Sequence, residues 1–154
     1  MEKSKIALVT GGSKGIGAAI AQLLATDGFE IWLNYKSDHQ AAQEVARKVK
    51  GIGRKCVLLP FDVSDSEEVQ SHLTPLLENE TPYALVNNAG FNKDVIMAWM
   101  TSSEWSDVLK VNLNGFFNVT KPVLNGMLRK KEGRIISVVS TSGQSGMPGQ
   151  TNYS

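Results

Sequence analysis

The chain has 154 residues, 42% of them hydrophobic and 20% charged, which suits one packed domain and argues against a disordered chain. Its 16 Lys and Arg against 15 Asp and Glu leave a net charge of +1, so there is no electrostatic footprint for nucleic acid or an anionic membrane. A single Cys excludes an intramolecular disulfide, and two His exclude a His-rich centre, so no metal site is expected.

Ile6–Val9 is a short β-prone run, as expected for a strand buried on both faces. It is too short for a signal-peptide core or a membrane span, and a cytoplasmic location is the expectation. From Gly15 to Asp27 a helical stripe is predicted through Ile16, Ala19, Ile20, Leu23 and Leu24, stopped by Gly28. Glu30–Tyr35 reads as a second strand. Ser37 or Asp38 caps the next helix, which carries Ala41, Ala42, Val45, Ala46 and Val49 on one face and ends at Gly51 and Gly53. Cys56–Phe61 is a third strand. Ser64 and Glu67 have capping-box spacing before Val69, Leu73, Leu76 and Leu77, and Pro75 predicts a kink or a late start. Ala84–Asn87 is a fourth strand, Ser103–Lys131 a long helix and Arg134–Val139 a fifth strand. This alternation predicts an α/β domain over 1–154, a Rossmann-type doubly wound parallel sheet built from βαβ units.

Thr10-Gly11-Gly12-Ser13-Lys14-Gly15-Ile16-Gly17 joins the first strand to the first helix. Glycines there permit a sharp turn and let a pyrophosphate approach the backbone, while the helix N-terminus offers free N–H groups and the positive end of its dipole. The spacing departs from Gly-x-Gly-x-x-Gly and lacks the Lys-Ser/Thr ending of an NTPase P-loop. The second strand ends Asn34-Tyr35-Lys36, with no carboxylate for a ribose 2′-hydroxyl. Lys14 and Lys36 can meet a 2′-phosphate instead, which favours NADP; the alternative for both is ordinary solvation.

Five segments in order make the whole chain resemble a short-chain dehydrogenase/reductase. Thr10–Gly17 is similar to that family's cofactor loop, Asp62-Val63 to its adenine contact, and Asn87-Asn88-Ala89-Gly90 to its signature after the fourth strand. Lys110-Val111-Asn112-Leu113 resembles the segment of its catalytic Asn. Gly133-Arg134-Ile135-Ile136, then Ser140 and Tyr153, resemble the approach to its catalytic Ser and Tyr. Within the family, Asn34-Tyr35 and the Arg-Ile-Ile-Ser run are most similar to β-ketoacyl-acyl carrier protein reductases. The resemblance implies a cofactor site of Gly11, Gly12, Ser13, Lys14, Gly15, Ile16, Gly17, Tyr35, Lys36, Asp62, Val63, Asn88, Ala89, Gly90 and Tyr153, and a catalytic set of Asn112, Ser140 and Tyr153.

The implied reaction is hydride transfer from NADPH to the carbonyl of a β-ketoacyl thioester carried by acyl carrier protein. Tyr153 supplies the proton, Ser140 holds the substrate oxygen, and Asn112 locally distorts the long helix and holds a water. The family's Lys, four residues beyond the Tyr, lies past Ser154, so the expectation is a working protein that continues Ser154-x-x-Lys, with this stretch alone inactive. The alternatives are an inactive dinucleotide-binding fragment and a reductase of another small carbonyl. The family's habit of pairing its long helix implies a homo-oligomer, with Phe116, Phe117 and Val119 as candidate contacts. Arg129-Lys130-Lys131 either complements the helix C-terminus or docks the acidic carrier. Trp99, Trp105, Met97 and Met100 either line an acyl path or pack the core. Cys56 is expected to be a buried inert thiol, and His39 and His72 to be solvated.

Overall fold

Residues along β1 (Ile6–Val9) alternate between two separate apolar layers. Ala7 and Val9 face one layer and Ile6 and Leu8 the other, as a pleated strand covered on both sides requires. The structure is a computed structural model describing residues 4–154.

The sheet is parallel and five-stranded, in the order β3-β2-β1-β4-β5. Its strands are β1, β2 (Glu30–Tyr35), β3 (Cys56–Pro60), β4 (Ala84–Asn87) and β5 (Arg134–Ser137). The order reverses between β1 and β4, and the crevice beyond the strands' carboxyl ends at such a switch point is where open α/β sheets hold ligands.

On one face lie α1 (Gly15–Thr26) and α2 (His39–Gly51), against Ala7, Val9, Ile31, Leu33 and Val86. On the other lie α3 (Ser66–Leu77) and α5 (Gly115–Lys130), against Leu8, Trp32, Leu59 and Leu85. Each fully buried Val, Leu or Ile in these layers contributes about 1.5–3 kcal/mol.

The α2 face follows the sequence pattern, and Asp38 caps it by accepting from the Ala41 N–H. The α1 face does not. Its buried residues are Gly17, Ala18, Ala21 and Ala25, while Ile16 and Leu23 are exposed. Small side chains let α1 lie close to the sheet, and that approach overrides the larger apolar stripe.

Asp65, not Ser64, caps α3, accepting from the Glu67 and Glu68 N–H groups. Ser64 is occupied instead with Asp62. Pro75 delays nothing, because it sits in the last turn of a helix that starts at Ser66.

The predicted long helix is three pieces. α4 (Ser102–Leu109) opens on a capping box of Thr101 and Glu104, a wider π turn covers Lys110–Asn114, and α5 follows. β5 stops at Ser137, two residues short of the expectation, because pairing with β4 ends where Asn87 faces Ser137. As an edge strand, β5 leaves Ile135, Ile136 and, beyond it, Val139 exposed. No helix among the described residues is long and apolar enough to cross a membrane.

Candidate active site at the carboxyl end of the sheet

The loop after β1 is held from both sides. Asn34, buried at the end of β2, accepts the Gly11 N–H on Oδ1 at 3.2 Å and donates through Nδ2 to the carbonyls of Leu59 (3.2 Å) and Phe61 (2.9 Å). One amide thus ties the ends of β1, β2 and β3 together. The Asn34 carbonyl also accepts from Gly12 N–H at 2.8 Å. From the β4 side, Asn88 Nδ2 donates to the carbonyls of Thr10 and Gly11, and the Thr10 hydroxyl accepts from the Asn88 and Ala89 N–H groups, all at 3.0–3.1 Å.

This framework leaves no room for a side chain at Gly17. A Cβ on Gly17 would stand 2.4 Å from the Gly11 carbonyl oxygen and 2.5 Å from Asn88 Nδ2. Gly11 has φ +61°, a conformation that favours glycine. Lys14 stands at the N-cap of α1 without a side-chain cap bond, so the first turn of α1 keeps its N–H groups for a ligand.

A cavity of about 730 Å³ opens beside this loop. Ile16, Val63, Asn88, Ala89, Gly90, Asn112, Ser140 and Tyr153 all line it, drawn from segments far apart in the chain. The predicted residues Gly11 to Gly15, Gly17, Tyr35, Lys36 and Asp62 do not line it. Tyr35 is buried in the core beneath α2, with its hydroxyl bonded to His39 Nδ1, so its side chain faces no ligand. Lys36 and Asp62 form an ion pair of 2.6 Å at the ends of β2 and β3.

Partial burial tends to raise the Asp62 carboxyl, but Lys36 and two bonds from Ser64 outweigh it and hold the group below the ordinary carboxylate range. The bonded Asp62 carboxylate raises Lys36 in turn.

Asn112 lies in the π turn, as its expected distortion of the helix requires, and such turns recur at functional sites. Its amide pairs with one backbone unit, accepting the Phe91 N–H at 3.1 Å and donating to the Phe91 carbonyl at 3.0 Å. A Cβ on Gly90 would come within 2.8 Å of Asn112 Oδ1, so glycine there permits the approach. Ser140, half-buried beyond β5, donates to Ser142 Oγ at 2.9 Å and accepts the Ser142 N–H at 3.1 Å. Tyr153 lines the cavity, and its hydroxyl has no hydrogen-bond partner among the described residues.

A family model described as short chain dehydrogenase matches residues 5–154. The chain belongs to the short-chain dehydrogenase family. It is 41% identical over 153 residues to the 3-oxoacyl-acyl-carrier-protein reductase FabG of Aggregatibacter actinomycetemcomitans, covering 98% of this chain and 63% of that one. It is 37% identical to FabG of Staphylococcus aureus strain Mu50, covering 99% of this chain and 63% of that protein. A solved structure of the acetoin dehydrogenase YohF from Salmonella typhimurium superposes with a TM-score of 0.90 at 32% identity, covering 98% of this chain and 60% of that one. The chain therefore spans about 63% of the length of the curated relatives it matches.

The family match thus covers nearly the whole of this chain. Several residues that shape this site were missed in the sequence. Asn34, Asn118, which donates to the Val63 carbonyl at 3.0 Å, and Gly115, whose Cβ would meet Val63 at 2.7 Å, act through close approach that periodicity does not encode. Trp99 and Met97 neither pack the core nor line the cavity; both are exposed. Cys56 is half-buried, and burial pushes its thiol up to about 11, which leaves it unreactive near neutrality.

Proposed function

We propose that the protein uses NADPH to reduce the keto group of a 3-oxoacyl thioester, carried on an acyl carrier protein, to the 3-hydroxyacyl form. The observation that carries this reading is the single cavity onto which Asn112, Ser140, Tyr153 and the Asn88–Gly90 loop converge beside the glycine loop. The glycine loop fits a pyrophosphate, because the first turn of α1 keeps its N–H groups beside it and the space at Gly15 is open. Lys14 and Lys36 meet the 2′-phosphate as point charges, and Asp62 and Val63 take the adenine. Asn88, Ala89 and Gly90 flank the nicotinamide half.

When bound, the cofactor supplies the hydride, and the carbonyl carbon accepts it. Ser140 turns its hydroxyl from Ser142 to the carbonyl oxygen. Tyr153 gives its proton to that oxygen, completing the alcohol, and is reprotonated from solvent. An ordinary tyrosine titrates near 10, so a neighbouring positive charge must lower it for exchange at neutral pH. Asn112 holds Phe91 and Gly90 at the cavity mouth.

The exposed Arg129, Lys130 and Lys131 at the end of α5 offer the acidic carrier a positive edge. Phe116 and Phe117, exposed on α5, suit pairing with a second copy, whereas Val119, also expected there, is buried in the core. A second reading, reduction of a small diketone or hydroxyketone, is favoured by the likeness to acetoin dehydrogenase.

The test follows NADPH oxidation by the natural full-length protein on carrier-linked 3-oxoacyl thioester, free thioester and diacetyl. Carrier-linked thioester is expected to be turned over best, and Tyr153→Phe to remove turnover at least a hundredfold. Preference for diacetyl would replace the first reading by the second, and undiminished Tyr153→Phe activity would remove both.

A further inference from the structure

The segment that carries Tyr153 has neither helix nor strand over 146–154, and the tyrosine hydroxyl is unpartnered among the described residues. Asn152, beside Tyr153, is only 5% exposed. Its Nδ2 donates to the Lys93 carbonyl at 3.3 Å and to the Glu104 carbonyl at 3.0 Å. Glu104 lies in the capping box that opens α4, so one of these anchors is a rigid helix end.

Neighbouring contacts run to the same place. Val95 N–H donates to the Gly149 carbonyl at 2.8 Å, and Gln150 Nε2 reaches both Asp94 carboxylate oxygens at 3.1 and 3.2 Å. Tyr153 N–H then closes onto the Gln150 carbonyl at 3.0 Å. The strap over 91–95 is gripped at Phe91 by Asn112 and at Lys93 by Asn152. Asn112 and Asn152 thus grip the same strap two residues apart.

We propose that Asn152 is the positioning residue for Tyr153, setting it against the cavity through the 91–95 strap and the start of α4. This rests on the reading of Tyr153 as proton donor. Asn152 Oδ1 is buried with no hydrogen-bond partner among the described residues. An orphaned acceptor is a cost that an apolar side chain of similar size avoids, so the amide is kept for what its nitrogen holds.

The chain has three tyrosines, Tyr35, Tyr83 and Tyr153, so tyrosine labelled with carbon-13 at the phenol carbon gives one NMR signal for each, with Tyr153→Phe identifying the third. In Asn152→Leu, the Tyr153 signal is expected to shift or split, while Tyr35 and Tyr83 stay in place and report an intact fold. In the natural full-length protein, kcat is expected to fall at least tenfold with the NADP dissociation constant within twofold. An unmoved Tyr153 signal overturns the proposal, whatever happens to turnover. A moved signal with unchanged turnover upholds the positioning and removes Tyr153 as the proton donor. If Tyr35 and Tyr83 show that Asn152→Leu has unfolded, Gln150→Ala cuts the Asp94 tie at a half-buried site. Tyr153 must then move in that variant, or the proposal fails.

Discussion

Lys36 Nζ stands 2.6 Å from Asp62 Oδ2, joining the ends of β2 and β3. Lys36 is 71% exposed, so the pair adds at most about 1 kcal/mol of stability. The pH dependence has two sides. Asp62 is held below its ordinary value, so its share is present above about pH 4 and is lost as pH falls through the lower folded value. Lys36 is raised, so its share is present below about pH 10 and is lost as pH rises through the higher folded value. Urea unfolding of the protein and of Lys36→Ala is expected to show a small constant gap from about pH 5 to 9 that closes in acid. A gap of the same size at pH 2 would contradict the pairing.

Asn34 predicts a larger effect from a smaller change. It is buried and bonds the Gly11 N–H and the carbonyls of Leu59 and Phe61. At about 1 kcal/mol per bond, with the penalty for groups left unpaired, Asn34→Ala is expected to cost about 2–4 kcal/mol in urea unfolding. Exposed Asn125→Ala is expected to stay within about 0.5 kcal/mol. Equal effects would show that Asn34 is not the knot between the three strand ends.

Two glycines of the same loop separate packing from conformation. Gly17→Ala pushes a Cβ against the Gly11 carbonyl and the Asn88 amide, and overpacking of this kind costs about 1–3 kcal/mol. Gly15 has φ +55° but nothing within 4 Å of a Cβ, so Gly15→Ala costs about 1 kcal/mol through the backbone alone. Denaturation midpoints and NADP titrations of both variants check the order. Gly17→Ala is expected to lose the cofactor and Gly15→Ala to weaken it.

The parallel sheet was legible because its strands are continuous apolar runs such as Ile6–Val9, set between helical stretches. The face of α1 was not, because hydrophobicity pointed to Ile16 and Leu23 while close packing selected Gly17, Ala18, Ala21 and Ala25. The cap of α3 was misassigned because Ser64 and Asp65 both fit the pattern, and only the bonds from Ser64 to Asp62 decide between them. Ser140, Tyr153 and Asn112 were found by resemblance and meet at one cavity. Tyr35 was read from its place at the end of β2, where only side-chain direction shows that it turns inward to His39. Asn34 entered only as part of the resemblance and Asn152 not at all, since their work is single amides reaching distant carbonyls.

The most direct test of the account is the dissociation constant of NADP against that of NAD, measured by calorimetry on the protein and on Lys36→Ala. Binding in the cavity beside the glycine loop, with Lys36 on the 2′-phosphate, predicts at least a tenfold preference for NADP. Removing one charge-assisted contact is worth about 1.5–3 kcal/mol, so most of that preference should vanish in Lys36→Ala. Equal affinity for the two dinucleotides, or a preference that survives the loss of Lys36 intact, would contradict it.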